Sequence, residues 1–147
     1  MRTRAFFLGL LTQLVLCTSF MAFGQDIVWK TLNDNVMELT RSSQYDRALV
    51  VGKKALAIAE QKPGDNQSSV AMSLNNLALL YATQGQYAAA EPLYKRSVTI
   101  KERALGPDHP SVAMSVENMA TLYRETDRKS LAEPMEARAA KIRAAKR

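Results

Sequence analysis

Beyond Cys17 this chain has no cysteine, and His109 is its only histidine. A zinc set draws mainly on those two residue types, and the usual nucleophile–base pairs need one or both. A structural zinc and the common covalent mechanisms are therefore excluded. No glycine-rich phosphate loop is present either, and the chain has only six glycines. Nor is there a run of alternating Val, Ile or Thr that would read as a strand. Aromatics make up 7% of the residues. What remains is rich in Ala, Leu, Lys, Glu and Met, which are good helix formers. With 147 residues, 47% of them hydrophobic, the chain can build one core of its own, and the expected class is all-α. No catalytic residue, cofactor, metal or small-molecule substrate is expected.

The first 24 residues differ in kind from the rest. Arg2 and Arg4 precede the apolar run "AFFLGLLTQLVLCTSFMAFG", and "AFG" at Ala22–Gly24 sets small residues before Gln25. That is the layout of a secretory signal peptide over residues 1–24, cleaved before Gln25. An uncleaved membrane anchor is the alternative, although Thr12, Gln13, Thr18 and Ser19 weaken the run for that purpose. A lipid-modified Cys17 would ask for a smaller residue than Leu16. The expected location is exported, periplasmic or secreted. A mature chain without cysteine can form no internal disulfide, which suits a bacterial periplasm. Cleavage takes the formal net charge from +6 to +4, and five basic residues without an acid lie in Ala137–Arg147.

The chain then repeats itself. "SVAMS" stands at Ser69–Ser73 and again at Ser111–Ser115, 42 residues on. Across Ser69–Leu105 and Ser111–Arg147, 14 of 37 positions are identical, including Asn76/Asn118, Ala78/Ala120, Tyr81/Tyr123 and "AEP" at 90–92 and 132–134. A fainter copy lies upstream, with "QYDRA" at 44–48 under "QYAAA" at 86–90, Leu32 under Leu74 and Gly64 under Gly106. The repeats run about 27–68, 69–110 and 111–147.

Each copy reads as two helices. Leu74, Leu77, Ala78 and Tyr81 form one helical stripe, and Tyr87, Ala90, Tyr94, Ser97 and Lys101 form a second. "TQGQ" separates them, with Gly85 suited to a left-handed helix end. "LGPDHP" breaks the chain before the next copy, where Asp108 or Ser111 is expected to cap the helix and Pro110 to enter its first turn. Pro92 and Pro134 fall inside the second helices and predict a bend, not an end. Such a hairpin buries one side only, so copies must stack.

"NNLALLYATQGQYAAAEPLYKRSVTIKERALGPDHPSVA" resembles a tetratricopeptide repeat of the longer, kinesin-light-chain type, which has a 42-residue spacing where the common tetratricopeptide repeat has 34. The likeness covers residues 44–147 well and 27–43 loosely. In the outer copies Asn35 replaces the Leu77 type, Ser43 and Asp127 replace the glycine, and Lys129 replaces Tyr87. The resemblance implies an α-solenoid of about three helix-turn-helix repeats after the signal segment, with the first helices lining a concave groove.

On that implication the groove carries Asn33 and Met37 from the first copy, beside Lys30, Asp34, Thr40 and Arg41. The second supplies Met72, Asn75, Asn76, Leu79, Ala82 and Thr83, and the third Met114, Glu117, Asn118, Thr121, Arg124 and Glu125. Asparagine offers a donor and an acceptor, so it can bracket the backbone of an extended peptide, as asparagines do in the resembling family. It can equally brace one helix against the next. The methionines offer adaptable apolar contact or else fill the core. The expected function is non-catalytic protein–protein interaction, with a protein or peptide partner in the groove and self-association through the solenoid ends. The rival is a membrane-surface accessory, held by the N-terminal helix or by the basic last helix. That helix is also read as a cap, with Leu131, Met135, Ala139 and Ile142 turned inward. Nucleic acid is not an expected partner.

Overall fold

The computed structural model describes residues 24–61 and 67–145. Of the signal segment expected over residues 1–24 all but Gly24 lies outside them, as do the first linker around Gly64 and the last two tail residues. Among the described residues the chain forms six helices and no strand: α1 (24–41), α2 (Tyr45–Glu60), α3 (Gln67–Thr83), α4 (Tyr87–Leu105), α5 (Pro110–Glu125) and α6 (Lys129–Ala144). They pair as three hairpins.

The turn inside each hairpin is built alike. Ser43, Gly85 and Asp127 hold φ of 58°, 73° and 58°, each in the left-handed region and each 42 residues from the next. That conformation lets the following N–H reach back five residues. Gln44 donates to Leu39, Gln86 to Tyr81 and Arg128 to Tyr123, each at 2.8 Å. These bonds satisfy carbonyls that a helix end would otherwise leave open. Glycine takes the conformation freely, and Ser43 and Asp127 take it at a cost in backbone energy. The outer copies therefore keep the turn without its usual residue.

The cap at the start of α5 is neither Asp108 nor Ser111. His109 stands at the N-cap, with extended backbone, and its Nδ1 accepts from the Ser111 N–H at 3.1 Å. Pro110 follows at the first helical position, where its missing donor costs nothing. The single histidine thus has a structural role. Pro92 and Pro134 sit inside α4 and α6, and both helices run on past them.

Packing follows the stripes. The buried residues of α4 are Ala90, Tyr94, Ser97 and Lys101, four of the five expected, and Tyr87 is half-buried. Ala78 and Ala90 are both fully buried in one cluster with Tyr94, Leu122 and Tyr123, so small residues let the two helices of the middle hairpin approach. In the first hairpin Gly52 occupies the place of Tyr94. A Cβ there would come within 2.9 Å of Leu77 Cδ2, so the glycine makes room for a side chain of the next repeat. In α6 the inward residues are Ala132, Ala139 and Ile142 with Met135 half-buried, whereas Leu131 is 45% exposed. The spacing 132, 135, 139, 142 keeps one face, and Leu131 falls off it.

Contacts run between neighbours. Among α2–α6, each helix packs on the next, and α3 also touches α5. α1 joins the stack through Val36 and Leu39, which cluster with Ala48 and Leu80. It is also held through Trp29, whose Nε1 donates to Ser73 Oγ at 2.8 Å.

One charged joint ties the last two hairpins together. Glu91 on α4 accepts from Lys95 Nζ at 2.6 Å, from Arg128 at 2.7 Å and from the Tyr123 hydroxyl at 3.1 Å. Arg128 also lies over the Tyr123 ring, 4.6 Å from its centre. The bonds from Lys95 first, then Arg128, hold the Glu91 carboxyl down at about 2, against partial burial. Because the folded value lies below the ordinary one of 4.5, this joint stabilises fully above pH ~4.5 and is lost as pH falls toward 2. Thermal melts of wild type and Glu91→Gln at pH 7 and pH 3 test it. Wild type is expected to lose about 1–2 kcal/mol more than the variant over that range; equal losses would contradict the assignment.

Candidate functional site

The first helices α1, α3 and α5 form one wall. A hollow of about 460 Å³ opens on it, with Asn33 and Met37 from α1 and Met72, Asn75, Asn76 and Leu79 from α3. Met114 and Asn118 of α5 close the far side, and Ile100, Lys101, Ala104 and Leu105 at the end of α4 close one edge. A second hollow of about 260 Å³ continues from it. Leu79 and Asn118 line both, and Thr83, Thr121 and Glu125 extend the second.

The apolar part of this surface is unusual in being left open. Met37, Met72, Leu79 and Met114 are 43%, 41%, 43% and 47% exposed. Their long side chains therefore do not fill the core, and the packing alternative for the methionines does not hold. Met72 and Met114 are one repeat apart, so the same place on successive first helices carries the same adaptable thioether.

Beneath them runs a ladder of amides. Asn76 Nδ2 donates to Asn33 Oδ1 at 2.8 Å, and one repeat on Asn118 Nδ2 donates to Asn75 Oδ1 at 3.3 Å. Both bonds join positions 43 residues apart, so each crosses from one repeat to its neighbour. The bracing role is thus present in the structure. It uses one amide hydrogen of Asn76 and of Asn118 and leaves the rest of each amide for another partner.

Lys101, which belongs to the second-helix stripe, enters the floor. It is 7% exposed; its Nζ donates to Ser115 Oγ at 2.7 Å and to the Ser111 carbonyl at 3.3 Å. Ser115 Oγ in turn donates to Asn75 Oδ1 at 3.1 Å. Burial pushes the Lys101 ammonium below its ordinary value.

Two expected groove residues lie outside both hollows. Glu117 is forked by Arg143 through Nε and Nη2, and Arg124 forks Glu136 at 2.6 Å through both contacts. Both pairs turn toward α6. The Arg143 bonds hold the Glu117 carboxyl below its usual range, and the Arg124 bonds do the same for Glu136. Of the first-copy flanking positions, Lys30 pairs with Asp34 and Arg41 with Glu38 on α1 itself, while the Thr40 hydroxyl donates to the Val36 carbonyl. The lining residues not foreseen are Gln67, Ser68, Ala71, Ser111 and the end of α4 in the first hollow, and Tyr87, Tyr94 and Leu122 in the second. The repeat alignment marks the first helices and carries no signal that a second helix reaches the same floor.

A family model of the tetratricopeptide repeat matches residues 37–103 and again 69–145. Among solved structures, BtubC (BKLC) from P. vanneervenii superposes with a TM-score of 0.72 at 24% identity, covering 80% of this chain and 47% of that one. The nearly identical TPR-like repeats of Podosopora anserina, assigned to a kinesin light chain, give 0.69 at 22% identity over 78% and 55%. At these identities the likeness is one of fold. The chain spans about half the length of the solved structures it matches. No curated protein matches the sequence.

Proposed function

The chain belongs to the tetratricopeptide repeat family, and from that premise we propose that its concave wall holds an extended segment of another protein. Repeats of this family act as non-catalytic scaffolds for protein–protein interaction. The observation that carries the finer reading is the line of four large apolar side chains left open over the amide ladder. An exposed apolar track rimmed by polar groups is the usual mark of an interaction surface. The methionines and Leu79 take the apolar side chains of the segment. The carbonyl oxygens of Asn76 and Asn118 accept from its backbone, whatever its side chains are.

The charged end of α6 supports a protein partner over a lipid surface. Arg138 is spent on Glu102 at 2.7 Å and on the Pro107 carbonyl at 3.1 Å, and Arg143 on Glu117. Two of the five cations of the basic run are thereby drawn into the protein and away from head groups. The N-terminal segment supports export, and no helix among the described residues is long and apolar enough to cross a membrane.

Two experiments test these readings. Decapeptides are selected from a random phage-displayed library on the immobilised protein and remeasured by fluorescence anisotropy. Met72→Glu with Met114→Glu is expected to weaken them about tenfold or more, since each burial is worth about 1.5–3 kcal/mol, while helicity stays unchanged. These exposed positions do not brace the stack, unlike the asparagines. Failure to select any peptide, or peptides indifferent to the double variant, would reject the groove. For export, mass spectrometry of the protein from its native compartment is expected to find a mature N-terminus at Gln25 in the soluble fraction. Residues 1–24 retained in the membrane fraction would reject that reading.

A further inference from the structure

Two junctions in the stack show how one hairpin receives the hairpin before it. Val70, Leu74 and Ile100 of the middle hairpin cluster with Trp29, Leu56 and Ala59 of the first. At the rim of that patch Arg96 reaches back to Glu60 at 2.7 Å. One repeat on, Val112, Val116 and Ile142 cluster with Val98, and Arg138 reaches back to Glu102, again at 2.7 Å. Each junction sets an apolar patch with a rim cation against an apolar cover with a rim carboxylate.

Counted back 42 residues, the receiving surface of the middle hairpin stands again on the first. Its members are Val28, Leu32 and Ile58, with Lys54 at the place of Arg96. Among the described residues no hairpin covers it. Val28 is 47% exposed where Val70 is 8%. Lys54 is exposed and, among the described residues, has no carboxylate partner, whereas Arg96 and Arg138 each have one. The far end of the stack does not complement this face. There Arg143 stands at the place of Ala59 and Ala144 at the place of Glu60. Arg143 is paired with Glu117, and Arg124 with Glu136. A second copy stacked head to tail would press these charges on the apolar patch and bring Lys54 no carboxylate at the matching place. Two first hairpins set face to face would bring a second Lys54 instead.

We propose that the outer face of α1 and α2 docks a helical surface of a different protein, apolar at its centre with an Asp or Glu at its rim that meets Lys54. The partner stacks on the first hairpin as the first stacks on the second. Burial of Val28, Leu32 and Ile58 holds the contact, and the ion pair fixes its register. This face lies at the end of the stack, and the inference is independent of the groove reading.

Zero-length carbodiimide cross-linking of the full chain in intact source cells tests it, because the reagent joins a lysine only to a carboxylate in contact with it. Lys95 and Glu91, 2.6 Å apart, supply the internal control. The expected product is an amide between Lys54 and an Asp or Glu in an amphipathic helical segment of another protein. Val28→Glu, at an exposed position, is expected to cut its yield about tenfold. Met72→Glu with Met114→Glu is expected to leave it unchanged. Residues 1–23 contain no Asp or Glu, so that segment cannot imitate the product. Lys54 joined only within its own chain or to a second copy would overturn the inference. So would Lys54 left unjoined while the Lys95–Glu91 control forms, or a product that Val28→Glu does not weaken. A yield that falls with the methionine variant instead would put the partner in the groove and overturn it as well.

Discussion

A helical hairpin of this kind can bury only one of its two sides, and the whole molecule follows from that constraint. The middle first helix shows it most plainly. Nine of the 17 residues of α3 are buried, from Ser69 to Leu80, because it is covered by α4 behind, by the first hairpin on one side and by α5 on the other. α6, packed among the described helices only on α5, buries three residues of 16. At the opposite end Ile27 and Val28 are 54% and 47% exposed, whereas Ser69 and Val70, one repeat on, are buried. Burial depends on position in the stack as much as on residue type, and the wall that the first helices share is left open.

Polar groups divide the remaining work between the two sides of the stack. The joint at Glu91 uses full charges that clamp α4 to α5 and the turn after it. On the groove side the joints between first helices are neutral: Asn76 with Asn33 and Asn118 with Asn75. An amide that braces one helix against another still has capacity to spare, while a paired carboxylate has largely spent its own. That difference is why the bracing of the stack and the chemistry of the groove can share residues. Lys101 alone brings a charge to this floor without a matching one.

Much of this was legible in the sequence, and the groove residues that were misplaced share a cause. The 42-residue period marked every hairpin, turn and buried stripe of α4, because these depend on spacing within one copy. The left-handed turns at Ser43 and Asp127 could be placed only because the period put them under Gly85. What depends on how two helices face each other was not visible. Glu117 and Arg124 turn to α6, whereas Leu131 off the inward face and His109 at the cap of α5, where Asp108 or Ser111 was expected, are matters local to one helix. Spacing along one helix does not report the register between two. The Lys101–Asn75 and Arg143–Glu117 correspondence was written in the alignment, but its meaning required knowing that Arg143 and Glu117 touch and that Ser115 links Lys101 to Asn75.

Each repeat is held only by its neighbours, so that no common centre closes the groove. Native-state hydrogen exchange, read amide by amide in low denaturant, addresses it directly. The account predicts the slowest exchange in α3, α4 and α5, with α1, α2 and α6 opening at lower free energy from the two ends of the stack. A single opening free energy shared by all six helices would contradict it, since that is how one closed globular core behaves.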